Sequence, residues 1–343
     1  MNNKKRTEIA EIGEFGLIDL LTKNATPKNK TTLKGVGDDA AVIAAGKSSG
    51  VVVTTDSLFE GVDFDLTYFP LKHLGYKAVT VGASDVLAMN AIPEQIIISL
   101  GVSSKIPVEA LQDLYEGIEF ACNEMGIDLV GGDTSASMTG LVINITTIGR
   151  AERKAITHRN TAQFNDLICI TGNLGAAYMG LQLLEREKRV LHDVEQPEPQ
   201  FKGYEYLLQR YLKPRARKDI IDMLAEEKII PTSMIDISDG LGSEVLQICK
   251  ASKCGARIYL DRIPIAKQTT ALAEEMHIDP VVAALNGGND YELMFTVPLA
   301  MQEQVMRLGV VDIVGHITKE STGAYLVTPD GSDIKIRAQG FKE

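Results

Sequence analysis

The sequence predicts a two-domain protein of the α/β class. Its 343 residues are enough for about two domains. Segments with strand-like and helical periodicity alternate along both halves of the chain. A polar and charged stretch at residues 150–165 separates the halves. We therefore predict an N-terminal domain at residues 1–150 and a C-terminal α/β domain at residues 151–343.

The elements of the first half follow from apolar spacing and turn residues. Residues 14–23 carry apolar side chains at helical spacing, and Pro107 stands at the first-turn position that a helix tolerates. A glycine and serine turn at residues 46–50 joins two apolar runs typical of strands. The predicted helices are 14–23, 71–90 and 107–125, and the predicted strands are 40–45, 51–55, 96–102 and 141–148.

The second half alternates in the same way. A strand at 166–171 ends in Gly172-Asn173-Leu174-Gly175, where a helix begins that runs to about residue 187. The charged, proline-containing stretch 186–218 predicts an exposed insertion with some local helix. The remaining predicted helices are 241–249 and 279–287, and the remaining predicted strands are 256–260, 291–297 and 310–317.

Charge and cysteine usage limit the functional classes to which the protein can belong. A net charge of -11 and a pI near 5.1 argue against a nucleic-acid-binding protein, which presents a basic face. No apolar run approaches transmembrane length, and no apolar signal region follows the basic start of the chain. The four cysteines form no CxxC pair, as expected of buried, reduced thiols in a cytoplasmic protein.

Acidic residues beside small residues are the most informative pattern. Most adjoin a short apolar run, so we expect several carboxylates to converge where strands end and turn. Oxygen ligands of this kind suit Mg²⁺, which also binds substrate phosphates. The five places are Gly37-Asp38-Asp39, Thr54-Thr55-Asp56-Ser57, Ser84-Asp85, Gly131-Gly132-Asp133-Thr134 and Asp236-Ile237-Ser238-Asp239-Gly240.

Familiar nucleotide motifs fit less well. Residues 41–48 resemble a phosphate loop but have Ala41 where the first glycine belongs, and they lead into a strand. Residues 35–40 loosely match a dinucleotide fingerprint, yet no apolar strand precedes them. The histidines show no metal-binding spacing, and we expect surface or helix-end positions for His73, His158, His192, His277 and His316.

Six ordered motifs between about Gly13 and Phe341 resemble the thiamine-monophosphate kinase family. They are Gly13-Glu14-Phe15-Gly16-Leu17-Ile18, Gly35-Val36-Gly37-Asp38-Asp39-Ala40-Ala41, Thr54-Thr55-Asp56-Ser57, Gly131-Gly132-Asp133-Thr134, Asp236-Ile237-Ser238-Asp239-Gly240-Leu241 and Gly287-Gly288-Asn289-Asp290-Tyr291-Glu292-Leu293. That family shares a fold and an ATP site with aminoimidazole ribonucleotide synthetase, selenophosphate synthetase and a hydrogenase maturation protein. The resemblance implies this two-domain fold, with the N-terminal domain contributing to a homodimer.

The resemblance also implies roles for individual residues. ATP and several Mg²⁺ ions would bind between the domains, and no general base is implied. The implied Mg²⁺ ligands are Asp39, Thr54, Thr55, Asp56, Asp85, Asp133, Asp236 and Asp239, and the implied ATP contacts are Tyr115, Gly132, Asp133, Arg150 and Ser238. As an alternative, Asp236 and Ser238 are candidates to cap the helix that begins near residue 241.

Three residues depart from the family pattern at its thiamine phosphate site. Asp63 stands where a histidine is usual, Asn289 where a glutamate is usual, and Phe341 where a tryptophan is usual. The implied reaction is phosphorylation of thiamine monophosphate by ATP, giving thiamine diphosphate. Two alternatives stay open, namely another ATP-dependent synthetase of the same superfamily and a non-enzymatic protein that binds divalent cations.

Overall fold

The computed structural model describes residues 8–191, 199–338 and 340–341. Its first half contains three helices and six strands, α1 Ile9–Thr22, β1 Thr32–Lys34, β2 Ala41–Ala45, β3 Ser49–Phe59, α2 Leu71–Ala88, β4 Ile92–Val102, α3 Val108–Met125, β5 Asp128–Ala136 and β6 Val142–Glu152. The strands form one sheet in the order β1-β2-β3-β6-β4-β5. All of its strand pairs are antiparallel except β4 with β5.

The second half forms a seven-stranded sheet in the order β13-β12-β9-β11-β7-β10-β8. Its elements are β7 Leu167–Thr171, α4 Ala176–Leu191, α5 Glu205–Leu212, α6 Lys218–Glu226, β8 Ser233–Ile237, α7 Leu241–Ser252, β9 Cys254–Tyr259, α8 Lys267–Glu275, α9 Pro280–Asn286, β10 Glu292–Val297, α10 Gln302–Met306, β11 Val311–Lys319, β12 Ala324–Val327 and β13 Asp333–Lys335. The α/β class agrees with the sequence prediction. Within the described part of the chain, no helix has the length and apolar character needed to cross a membrane.

Helix α2 joins the two halves. It packs on β3, β4 and β6 of the first sheet and also contacts β8 and α5. Two glycines, which weaken α2 as a helix by propensity, explain its close packing. A Cβ atom on Gly75 would lie 2.0 Å from the carbonyl oxygen of Leu114 in α3, and one on Gly82 would lie 2.2 Å from Thr147 Oγ1 in β6. The glycines therefore let α2 lie directly against both neighbours.

Only some of the acidic segments expected at strand ends and turns lie there. Asp56 lies inside β3, Asp85 inside α2 and Asp133 inside β5, whereas Asp39 precedes β2 in a loop. The alternative that Asp236 or Ser238 caps α7 is wrong, because the N-cap residue is Gly240, which makes no side-chain capping hydrogen bond. Convergence of these aspartates therefore depends on packing between elements rather than on one edge of a sheet.

The insertion expected at 186–218 contains local helix, as predicted, but its helix α5 is packed against the fold rather than exposed. Leu207 of α5 is fully buried, and Arg210 and Arg217 both form ion pairs with the buried Glu292. Residues 192–198 of this stretch lie outside the described residues. The segment helps to hold β10 in place, because Glu292 is the first residue of that strand.

Candidate functional site

Carboxylates from both halves of the chain meet beside α2. Oxygen atoms of Asp39, Asp85 and Asp236 lie within 4.8 Å of one another. Asp39 comes from the loop before β2, Asp85 from α2 and Asp236 from the end of β8. Asp56 of β3 adds a fourth negative charge, which acts on both Asp85 and Asp236. These are four of the eight residues predicted as metal ligands.

Hydrogen bonds orient two of these carboxylates and leave other oxygens without partners. Thr54 Oγ1 donates to Asp85 Oδ2 at 2.5 Å, and Ser84 Oγ donates to Asp236 Oδ2 at 2.6 Å. Asp39 Oδ2 and Asp56 Oδ2 are buried and have no hydrogen-bond partner in the described part of the chain. A buried carboxylate oxygen without a donor is costly unless a cation binds it. The donor set therefore fits Mg²⁺, which prefers carboxylate and hydroxyl oxygens.

Burial and mutual repulsion disfavour the ionised cluster. Burial raises the pKa of Asp39 and of Asp56 to about 6. The pKa of Asp236 rises to about 7 through burial and the charges of Asp39 and Asp56, although the Ser84 hydrogen bond opposes the shift. Burial and the same neighbours raise the pKa of Asp85 well above its ordinary value. A bound cation would reverse these shifts by favouring the charged forms.

Arg159 supplies positive charge to one side of the cluster. Its Nη2 lies 2.6 Å from Asp39 Oδ1, and its backbone N–H donates to Asp38 Oδ1 at 3.1 Å. Asp38 also contacts His158 Nδ1 at 2.9 Å and Lys34 Nζ at 3.1 Å. Burial opposes ionisation of Asp38, but these partners outweigh it and lower its pKa. His158 is therefore a half-buried partner of this loop.

Two further acidic residues, Glu14 and Glu244, lie next to the cluster, and neither was predicted as a site residue from the sequence. Asp239 lies near the carboxylate of Glu14 and near Arg159. Its backbone N–H donates to Glu244 Oε1 at 3.0 Å, and Glu244 is buried in the first turn of α7. The Gly13 to Ile18 motif contains Glu14 and was a usable signal, whereas Glu244 has no local sequence signature.

Asp133 does not join this cluster within one chain. It pairs with Ser99, in a row that continues through Asn144 to Ser57 of β3, three strands and about 14 Å away at ordinary strand spacing. Asp56 pairs with the buried Ile145 in the neighbouring row, so the two aspartates point to opposite faces. Thr55 is likewise exposed and 3.1 Å from Thr146 Oγ1, on the face opposite Thr54.

Three of the predicted ATP contacts share one cavity at β5. Tyr115, Gly132 and Asp133 line a space of about 570 Å³ together with other residues of that strand. A Cβ atom on Gly132 would lie 2.0 Å from the carbonyl oxygen of Ile98, so this glycine is required by strand packing. Arg150 lies on β6, where its Nε is 3.2 Å from Glu94 Oε2. Ser238 instead lies beside the aspartate cluster, in the loop after β8.

The three residues predicted to bind the phosphate acceptor lie in different parts of the structure. Asp63 Oδ2 accepts the backbone N–H of Phe59 at 2.7 Å, and the charge of Asp63 acts on the buried Lys77. The backbone N–H of Asn289 donates to the Ser238 carbonyl at 2.7 Å, next to the aspartates. Phe341 packs on Phe15 of α1 with ring centroids 4.7 Å apart. The contacts of Phe341 therefore join it to the N-terminal motif.

Comparisons with known proteins cover almost the whole chain. The model of AIR synthase related protein, N-terminal domain, matches residues 37–151, and that of the C-terminal domain matches residues 166–327. The chain is 36% identical over 340 residues to a thiamine-monophosphate kinase of Buchnera aphidicola subsp. Schizaphis graminum, covering 96% of this chain and 98% of that protein. It is 34% identical over 290 residues to one of Aquifex aeolicus, covering 84% and 87%.

A solved structure has the same fold. The structure described as AaThiL complexed with AMPPCP and TMP superposes with a TM-score of 0.82 at 30% identity, covering 98% of this chain and 99% of that chain.

Proposed function

The chain belongs to the thiamine-monophosphate kinase family of AIR synthase related proteins, and we propose on that premise how its site works. The reaction is transfer of the γ-phosphate of ATP to thiamine monophosphate, giving thiamine diphosphate and ADP. Support comes from the related structure, which holds AMPPCP, an ATP analogue, together with TMP. The single observation of this chain that carries the proposal is the cluster of Asp39, Asp85 and Asp236, with unpartnered buried oxygens on Asp39 and on the neighbouring Asp56 among the described residues.

The cluster is the place where Mg²⁺ would bind. Asp39, Asp56, Asp85 and Asp236 would hold the ions, with Thr54 beside them and Asp239 at the loop after β8. Bound Mg²⁺ would offset the negative charge of the phosphates of both substrates. Thr54 and Ser84 support this role because each fixes one carboxylate oxygen and leaves the other available.

The chain's own residues need not remove a proton. A phosphate-monoester acceptor has its second pKa near 6, so it is mostly a dianion at neutral pH. The obstacle is repulsion between two anionic substrates, and Arg159 adds fixed positive charge beside Asp39. The protein would hold donor and acceptor in line for direct transfer.

ATP is proposed to contact Tyr115, Gly132, Asp133, Arg150 and Ser238. The open space beside β5 supports the first three, because all three residues line it. Thiamine monophosphate is proposed to contact Asp63, Asn289 and Phe341. The position of Asn289 beside the loop that contains Ser238 and Asp239 supports its role, since the acceptor must reach the metal-bound phosphate.

We further propose that the chain forms a homodimer through β5 and acts in the cytoplasm. All residues of β5 are exposed, and β5 is an edge strand of its sheet. Exposed edges of this kind are usually covered in stable proteins. A second copy would also explain why Asp133 lies apart from the other proposed ligands.

Four unpaired cysteines support the proposed location in the cytoplasm. We keep the proposed domain division at residue 150.

The test is incubation of the purified protein with ATP, Mg²⁺ and thiamine monophosphate, followed by chromatographic analysis of thiamine esters and nucleotides. We expect thiamine diphosphate and ADP in equal amounts, with no turnover when thiamine monophosphate is omitted. Consumption of ATP without thiamine diphosphate would instead favour another ATP-dependent synthetase. No consumption of ATP, combined with tight Mg²⁺ binding, would favour a cation-binding protein.

A further inference from the structure

The segment from Gly288 to Tyr291 has an unusual backbone. Gly288, Asn289 and Tyr291 have φ angles of 71°, 60° and 51°. Glycine and asparagine adopt this left-handed region readily, but a tyrosine rarely does so. Strained positions persist only where the surrounding structure enforces them, and they cluster at functional sites. Tyr291 therefore calls for an explanation that its packing alone does not provide.

Contacts on both sides hold the strained segment in place. The backbone N–H of Asn289 donates to the Ser238 carbonyl at 2.7 Å, and that of Tyr291 donates to the Ile237 carbonyl at 2.9 Å. Asp290 accepts the backbone N–H of Gly175 at 2.7 Å, at the start of α4. The segment is thus joined to the loop that contains Ser238 and Asp239, and its side chains have fixed directions.

The hydroxyl of Tyr291 contacts Asn289. Tyr291 is only 6% exposed, and its Oη donates to Asn289 Oδ1 at 3.3 Å. The charges of Asp56, Asp63, Asp236 and Asp239 act on this hydroxyl. Burial and these charges raise the pKa of Tyr291 well above its ordinary value, so the hydroxyl keeps its proton and acts as a donor.

This hydrogen bond sets the orientation of the Asn289 amide. With Oδ1 occupied by the Tyr291 hydroxyl, the Nδ2 group is left to donate its hydrogens. Asn289 is half-buried, so part of its surface remains accessible to a ligand. A carboxylate at the same position would only accept hydrogen bonds. The asparagine therefore changes which atoms of an acceptor this position can bind.

We propose that Tyr291 is a positioning residue for the phosphate acceptor, which holds Asn289 so that its amide nitrogen donates to an oxygen or ring nitrogen of that substrate. The inference rests on the proposed function, because it needs the acceptor to bind beside Asn289. It assigns Tyr291 a role in acceptor binding that ATP binding does not share.

The test compares the steady-state kinetics of Tyr291→Phe with those of the wild-type protein. Phenylalanine keeps the ring and its packing, so only the hydroxyl is lost. We expect the KM for thiamine monophosphate to rise about tenfold, as for loss of one hydrogen bond in a buried site, while kcat and the KM for ATP change less than about twofold. Tyr325→Phe on β12 is the matched control and should behave as wild type.

A double-mutant cycle separates positioning from direct contact. If Tyr291 acts through Asn289, then Tyr291→Phe should change the acceptor KM by less than about twofold in an Asn289→Ala background. Asn289→Asp is the second variant, because it keeps an oxygen for Tyr291 but lacks the amide N–H groups. Its acceptor KM should rise at least as much as that of Tyr291→Phe.

Two results would overturn the inference alone. One is an equal rise in the KM values of both substrates, and the other is full additivity of Tyr291→Phe and Asn289→Ala. Failure of the wild-type protein to phosphorylate thiamine monophosphate would instead refute the proposed function, and the inference with it. Thermal unfolding of each variant shows whether a kinetic change reflects loss of the folded protein.

Discussion

Asp85 is the residue that the acidic cluster surrounds most closely. Its carboxylate is buried on α2 and accepts a hydrogen bond from Thr54. Burial and the negative charges of Asp56, Asp236 and Asp39 raise its pKa. A cation bound here would be shared between the two halves of the chain. Removal of this one charge therefore affects both catalysis and the stability of the metal-free protein.

We predict that Asp85→Asn lowers kcat by at least about 100-fold, because a metal ligand contributes several kcal/mol to transition-state charge stabilisation. The same change should raise the melting temperature in EDTA at neutral pH, since it removes one of several repelling carboxylates. A coupled ADP assay and thermal melts measure the two effects. Asp261→Asn, in an exposed turn, is the control. Activity within tenfold of wild type would exclude Asp85 as a ligand.

The titration of the cluster gives a second prediction. The folded-state pKa values of about 6 for Asp39 and Asp56 and about 7 for Asp236 exceed the ordinary value near 4. The stability contributed by these neutral carboxyl groups is fully present below about pH 4 and is lost as pH rises through about 6 to 7. The metal-free protein should therefore melt at a lower temperature at about pH 8 than at about pH 5.

Mg²⁺ should reverse this trend. A cation must displace protons from the cluster at low pH, so its stabilising effect should be larger at about pH 8 than at about pH 5. Melting curves with EDTA or MgCl₂ across this range provide the measurement. Equal stabilisation by Mg²⁺ at both pH values would mean that these carboxylates do not bind the ion.

Helix α2 also carries a buried lysine. Lys77 is 1% exposed, and its Nζ has no hydrogen-bond partner among the described residues. The Nζ atom lies 4.3 Å from the ring centroid of Tyr211 and 5.5 Å from that of Phe69. Burial lowers the pKa of Lys77 to about 7, although the charge of Asp63 opposes the shift. Folding therefore disfavours the charged amine.

We predict that Lys77→Met increases the free energy of unfolding at about pH 6 by on the order of 1 kcal/mol, because it removes a poorly compensated buried charge. The unfolded chain holds this proton up to about pH 10, so the cost to the wild type falls as pH rises above about 7, and the gain should shrink toward about pH 10. Urea unfolding measures it. Lys72→Met, exposed on the same helix, is the control. If Lys77→Met lowered the free energy of unfolding at both pH values, the buried charge of Lys77 would not be destabilising.

Local patterns were sufficient to predict many elements. The short helix after Asp279 is an example, because Asp279 caps it through the backbone N–H of Val281 at 2.8 Å. Chemistry of this kind is contained in neighbouring residues and can be recognised in the sequence. By contrast, β1, α6, α8, α10, β12 and β13 are short elements that the sequence did not reveal.

The face that a strand residue occupies was harder to predict. Val130 forms a bulge in β5, because Ile96 pairs with Leu129 and Ile97 pairs with Gly131. Without that bulge, Asp133 would stand opposite the buried Leu100 and share a face with Asp56. One unpaired residue thus separates two aspartates that motif reasoning had grouped. Bulges depend on tertiary context, so the sequence alone could not place Asp133.

At the scale of the whole molecule, β5 is the proposed contact between two copies. Its Val130 side chain is 56% exposed on an edge strand. We predict a solution mass of about twice the chain's 37.3 kDa and a monomer for Val130→Arg, because a charge in the contact would have to be desolvated. Sedimentation velocity measures both. Val282→Arg, exposed on α9, is the control. A monomeric wild-type protein would refute the proposal.

Stereochemistry tests whether the γ-phosphate passes directly from ATP to thiamine monophosphate at the aspartate cluster. The most direct measurement uses ATP whose γ-thiophosphate is chiral through oxygen isotopes, followed by determination of the configuration in the thiamine diphosphate product. One in-line displacement predicts thiamine diphosphate that carries sulfur on its β-phosphorus, with inverted configuration at that phosphorus. Retention of configuration would reveal a phosphorylated enzyme intermediate and two successive transfers. That result, or release of free thiophosphate in place of the product, would contradict the account.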